Sequence, residues 1–91
     1  MKRVVVTGMA GITSLGHDWD SIANAVIEKR NGICRMDEWD IYADLNTRLG
    51  APVHDFTVPA HFTRKKTRSM GRVALMSTVA AEKSLRDAGL L

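Results

Sequence analysis

The sequence predicts an α/β fold with a parallel or mixed sheet covered by helices, and three features carry that expectation. Arg3-Val4-Val5-Val6-Thr7 is a β-branched run that ends at Gly8. It is apolar without alternation, so it reads as a strand buried on both faces. A glycine-containing connection from Gly8 to Gly16 follows, and it leads into an amphipathic helix. A second, longer helix occupies the end of the chain, and its middle carries no charge from Val73 to Ala81.

The first helix is capped by Asp18, and Trp19, Ile22, Ala23, Val26 and Ile27 fall on one helical face. Acid at its start and Lys29-Arg30 at its end suit the helix dipole, and Asn31-Gly32 closes it. Periodicity is poor from Ile33 to Val58, where Asp37, Glu38, Asp40, Asp44 and Asp55 make the chain acidic. That segment reads as mostly loop with one short strand near Arg48 to Val53. After Pro59, Ser69 to Ala88 reads as a long helix ended by Gly89. Ala74, Ser77, Ala80 and Ala81 keep this helix small around its whole circumference, so it has to be enclosed by other elements. One strand, one amphipathic helix and a loop do not suffice to enclose it. The pattern therefore calls either for an oligomer formed through this helix or for a longer polypeptide of which this is the first part.

At 91 residues the chain allows one domain with no internal boundary and a small core. Its 45% hydrophobic and 25% charged residues are ordinary for a globular domain and argue against disorder. A single cysteine, Cys34, excludes an internal disulfide framework and a cysteine-rich zinc site. It fits reducing, cytoplasmic surroundings. Thr7, Gly8, Gly11, Thr13 and Ser14 interrupt the amino-terminal apolar run before a signal-peptide core forms. No stretch approaches the roughly 20 apolar residues a membrane span needs.

Net charge is +3, too weak an excess to imply nucleic acid, but its distribution is uneven. Arg64, Lys65, Lys66, Arg68 and Arg72 lie in one short stretch without an acid, which reads either as a solvated helix end or as the footprint of an acidic partner. Only Phe62 is near it, so the interleaved aromatics of a nucleic-acid surface are lacking. The glycine connection is no phosphate cradle. Gly11 and Gly16 have P-loop spacing, yet His17 and Asp18 stand where Lys and Ser or Thr belong, and Gly8, Gly11 and Gly16 do not form the dinucleotide fingerprint. Cys34 reads as an unreactive small residue in a loop, since no histidine base is near it in sequence. His17, His54 and His61 lack ligand spacing, so no metal and no cofactor are expected. Trp19 and Trp39 read as core and loop anchors.

In order, Arg3-Val4-Val5-Val6-Thr7-Gly8-Met9, Leu15-Gly16, Asn31-Gly32-Ile33, Asp55-Phe56, Arg64-Lys65 with Arg68 and Met70, and Asp87-Ala88-Gly89-Leu90 form a recognisable succession. Over nearly the whole chain it resembles the start of a β-ketoacyl-acyl carrier protein synthase of the elongating KAS I/II group, with Arg35 to Asn46 the poorest match. Three departures from the family pattern bear on local packing. Gly8-Met9-Ala10-Gly11 displaces the second loop glycine, Ser14 replaces a proline, and Gly71 stands where an acid is usual. Inside the predicted helix Gly71 would cost up to about 1 kcal/mol.

The resemblance implies a partial thiolase-type fold, part of a homodimeric enzyme layered α/β/α/β/α. Such enzymes load an acyl group onto a cysteine thiolate, decarboxylate malonyl carrier protein with two histidines and condense the two. The nucleophile's Ala-Cys-Ser-like turn and both histidine motifs lie later in the family's sequence. No catalytic residue is therefore expected in this chain, and the 91 residues alone are expected to be inactive. The resemblance also implies that acyl carrier protein docks on basic residues ahead of the last helix. Lys65 and Arg68 match those positions, Arg64 and Lys66 extend them, and Ser69 departs from a frequently basic one. The competing expectation is a free-standing module that binds an acidic partner through Arg64 to Arg72.

Overall fold

The computed structural model describes residues 1–91. In chain order the elements are α1 (Trp19–Ile27), β1 (Cys34–Arg35), a 3-10 helix (Asp37–Ile41), β2 (Leu49–Gly50), α2 (Arg64–Thr67) and α3 (Arg72–Asp87). They form two compact units, Thr13–Asp55 and the combination of Met1–Ile12 with Phe56–Leu91. No helix is long and apolar enough to cross a membrane.

The Thr13–Asp55 unit opens with a tight turn in which Thr13 and Gly16 exchange backbone hydrogen bonds of 2.9 and 3.3 Å. Asp18 then caps α1 as expected, its carboxylate accepting from the Ser21 N–H at 2.9 Å and from the Ser21 hydroxyl at 3.0 Å. The predicted apolar face is present but only partly covered. Ala25 is fully buried, Ile22 and Ala23 are half-buried, and Trp19 is 71% exposed rather than a core anchor.

The end of α1 corrects the sequence reading. Lys29, at φ 59°, and not Asn31-Gly32, takes the left-handed position. Its N–H donates to Val26 O at 3.1 Å and the Arg30 N–H to Ala25 O at 2.8 Å, the paired bonds of a Schellman cap. Gly32 is needed for another reason, since a Cβ there would lie 2.6 Å from Ser14 Cβ. A lysine in a left-handed cap is strained where glycine is not. Lys29→Gly is expected to stabilise the protein by about 1 kcal/mol, read as a raised urea midpoint at unchanged slope.

The segment read as mostly loop holds a two-stranded antiparallel ladder, with Cys34 opposite Gly50 and Arg35 opposite Leu49. The strand expected near Arg48 to Val53 is β2. Cys34, expected in a loop, is its partner strand's first residue. Trp39 acts as the expected loop anchor, being half-buried with its ring close to Gly50. Asp40 joins Arg35 and Arg48, each at 2.8 Å. Arg48 also donates to the carbonyls of Tyr42 at 3.2 Å and Leu45 at 3.4 Å. The acids that make this segment look like solvated loop are thus partly consumed in closing it.

In the other unit, the predicted buried strand Arg3–Thr7 is not a strand. The segment has no ladder partner, and Val4, Val5 and Val6 are 94%, 68% and 78% exposed. Its residues have strand character, but a strand exists only through the hydrogen bonds of a neighbour. The segment is nevertheless fixed at its end. The Met9 N–H donates to Asp87 Oδ2 at 3.0 Å, and Gly8 lies so close to α3 that a Cβ there would clash with Ser84 O and sit 2.7 Å from Ala88 N.

The long helix expected from Ser69 begins later. The chain makes one turn of helix, α2, and α3 starts anew after Gly71, an extended N-cap at φ −77°, ψ 177°. Gly71 therefore carries no interior-helix penalty, because it precedes the helix and no neighbour lies within 4 Å of a Cβ placed there. The far end is as expected. Gly89 at φ 76° closes α3, with its N–H on Arg86 O at 3.0 Å and the Leu90 N–H on Leu85 O at 2.9 Å. Enclosure of α3 within this chain is not met. Val79 is its one buried residue, and Val73, Ala74, Ser77 and Ala81 face outward.

Candidate functional site

The basic cluster sits on α2 and its C-cap. Arg64, Lys65 and Lys66 belong to the helical turn, Arg68 follows it, and all four are exposed and outside every ion pair. The turn has no acid and no side-chain cap. Its charge is therefore uncompensated locally and available to an anionic surface. Arg72 is different from the other four. Its guanidinium carbon lies 5.7 Å above the Phe56 ring, so it serves the start of α3 rather than the free cluster.

Two side chains missed as functional candidates frame this turn. His61, in the turn just ahead of α2, meets Glu82 of α3 at 2.7 Å between Nε2 and Oε1. Its ring also packs against Phe62, with centroids 4.6 Å apart. Arg86 reaches the same Glu82 oxygen at 3.3 Å. No sequence signal could have paired His61 with Glu82, 21 residues away, because their meeting depends on the return of the chain along α3.

The hydrogen bond from His61, followed by that from Arg86, holds the Glu82 carboxyl below its ordinary value of 4.5, against the opposing effect of partial burial. A depressed carboxylate contributes stability above its unfolded value and loses it as pH falls through the folded one. The contact is therefore expected to persist at neutral and mildly acidic pH and to release below the ordinary carboxylate range. A carboxyl-carbon NMR titration checks this, and His61→Ala is expected to move the Glu82 midpoint upward.

The remaining candidates do not assemble into chemistry. Cys34 is exposed on β1, and its Sγ lies 3.9 Å from Met36 Sδ, a weak acceptor and no base. His17 and His54 line an open cavity of about 370 Å³ together with Asp18 and Asp55, but no group of three or more such side chains is arranged to hold a metal ion. At the start of α1 the carboxylate of Asp18 occupies the place a phosphate would need.

Comparison with known proteins identifies the family. The family described as "Beta-ketoacyl synthase, N-terminal domain" matches residues 1–91. The chain belongs to that family. A crystal structure of a β-ketoacyl synthase from Burkholderia phymatum superimposes with a TM-score of 0.90 at 52% identity, over 100% of this chain and 22% of that one. The chain accordingly has a partial thiolase-type α/β fold. Among curated relatives, 3-oxoacyl-[acyl-carrier-protein] synthase 2 of Synechocystis is 33% identical over 90 residues, 99% of this chain and 21% of the relative. Nodulation protein E of Rhizobium meliloti is 36% identical over 90 residues, 98% of this chain and 22% of that protein. The chain thus spans about a fifth of the length of these relatives.

Proposed function

We propose that this chain is the amino-terminal part of a 3-oxoacyl-[acyl carrier protein] synthase that extends acyl chains by decarboxylative Claisen condensation in fatty-acid biosynthesis. The match over every residue to a β-ketoacyl synthase structure at 52% identity carries the reading. In the complete enzyme a cysteine thiolate takes the acyl group from its carrier thioester. Malonyl carrier protein then loses CO₂, and the carbanion formed attacks the acyl thioester carbonyl and expels the thiolate. Neither that cysteine nor its two histidines match a position among these 91 residues.

Within that reading the role of this chain is recognition. Arg64, Lys65, Lys66 and Arg68 dock acyl carrier protein, whose acidic surface complements four exposed and unpaired cations. The complete enzyme is a cytoplasmic homodimer. Its remaining polypeptide pairs with Arg3–Thr7 and covers the outward face of α3, which accounts for three exposed valines in a strand-forming run. The test is a condensation assay with acyl and malonyl carrier proteins. The full-length protein is expected to release CO₂ and form the 3-oxoacyl carrier product, and the 91-residue chain alone to form none. Condensation by the 91-residue chain would refute the assignment of catalysis to residues outside it.

A further inference from the structure

The basic turn is held to α3 at two points. The excursion that carries α2 runs from Phe56 to Arg72, and its base is closed by Arg72 over the Phe56 ring at 5.7 Å. Its second tie is His61 to Glu82 at 2.7 Å, shared with Arg86 at 3.3 Å. Arg72 and Glu82 are separated along α3 by about 15 Å of helix rise, so the two ties fix a direction as well as a position. Two residues separate His61 from Arg64, and His61 itself lies in a turn that the Phe62 N–H closes on Pro59 O at 3.0 Å. The charge of Glu82 is engaged by His61 and Arg86. Arg64, Lys65, Lys66 and Arg68 are exposed and outside every ion pair.

We propose that the His61–Glu82–Arg86 clasp positions the α2 cations for an acidic protein partner, making His61 and Glu82 positioning residues for carrier docking. This rests on the docking reading given above. Docking of a charged patch depends on where its charges sit relative to one another and to the partner. A clasp 2.7 Å long on the preceding turn restricts the freedom of α2, a single helical turn with no side-chain cap of its own. Neither residue is one of the cysteine and two histidines of the proposed reaction, so loosening the clasp is expected to alter recognition and to leave the reaction of a bound substrate untouched.

The experiment is steady-state kinetics of the full-length enzyme with Glu82→Ala, His61→Ala and His61→Gln, using acyl carrier protein substrates and, separately, small acyl thioesters without a carrier. Glu82→Ala and His61→Ala are expected to raise KM for the carrier-linked substrate by roughly three- to tenfold with kcat little changed. KM for the small thioester should stay constant. His61→Gln keeps an N–H donor for the Glu82 carboxylate and is expected to recover most of the loss. An unchanged carrier KM, or an equal loss with both substrates, overturns the clasp's positioning role. Lys65→Glu with Arg68→Glu, assayed beside these variants, separates the two ideas. If the reversed charges weaken carrier use and the clasp variants do not, the clasp inference fails alone. If the reversed charges have no effect, the docking reading fails and the clasp inference with it.

Discussion

Reversing two charges on α2, Lys65→Glu together with Arg68→Glu, is expected to lower kcat/KM for carrier-linked substrates in the full-length enzyme by roughly ten- to a hundredfold at low salt. Both side chains are exposed and unpaired, so, on the docking reading proposed above, each substitution removes an attraction to an acidic carrier and adds a repulsion without breaking any internal contact. A single exposed ion pair contributes only about 0.2–1 kcal/mol. Reversal counts twice at each position, and the two positions act on one partner. The effect should shrink as ionic strength approaches and passes about 0.15 M, because the Debye length there is about 8 Å. Turnover of a small thioester serves as the control. If it falls in parallel, the patch supports the fold instead of docking, and the assignment of these four residues is wrong.

The second large effect is expected at Gly8. An added methyl there would be pressed against Ser84 O and would lie 2.7 Å from Ala88 N and 2.8 Å from Ala88 Cβ. Two of these three contacts are backbone atoms of α3, which cannot swing aside as a flexible side chain would. Gly8→Ala therefore has to lift the amino-terminal segment away from α3, and it stretches the Met9 N–H to Asp87 bond of 3.0 Å as it does so. Overpacking of this kind costs about 1–3 kcal/mol. A lost hydrogen bond to a carboxylate places the expected loss at the upper end of that range. Urea denaturation of the full-length protein checks it, with Gly71→Ser as the comparison. Gly71 has open space around it and already occupies an N-cap, so serine there is expected to gain a few tenths of a kcal/mol. Equal effects at the two glycines would show that the close approach of Gly8 to α3 does not constrain the fold.

Much of the local structure is legible in the residues. Asp18 marks the start of α1 because an aspartate before an apolar-periodic stretch has one favourable role, accepting from the first free N–H groups. Gly89 marks the end of α3 because the left-handed position is open to glycine at no cost. The cluster Arg64 to Arg68 is visible as charge alone, and the succession of short motifs along the chain points to the β-ketoacyl synthases that the whole-chain match then shows.

Other features follow from contacts that local pattern does not encode. Gly32 and Gly71 both look like helix punctuation or interruption, yet one makes room for Ser14 and the other precedes α3. Lys29 caps α1 against its own preference, since the hydrogen bonds to Ala25 and Val26 hold it in place. The valines of Arg3–Thr7 have the character of a buried strand, but burial and pairing require a neighbour, and none of the described elements supplies one. His61 and Glu82 meet because the chain doubles back along α3, a contact with no periodic signature.

Sequence by itself determined α1 with its Asp18 cap, the Gly89 end of α3, the basic cluster and the family, because each depends on residues within a few positions of one another or on motifs kept in order. Tertiary structure alone decided which glycines are steric, that α2 is a separate turn from α3, and that His61 meets Glu82. Those outcomes depend on atoms brought together from distant parts of the chain, where packing distance and hydrogen-bond geometry outweigh local propensity.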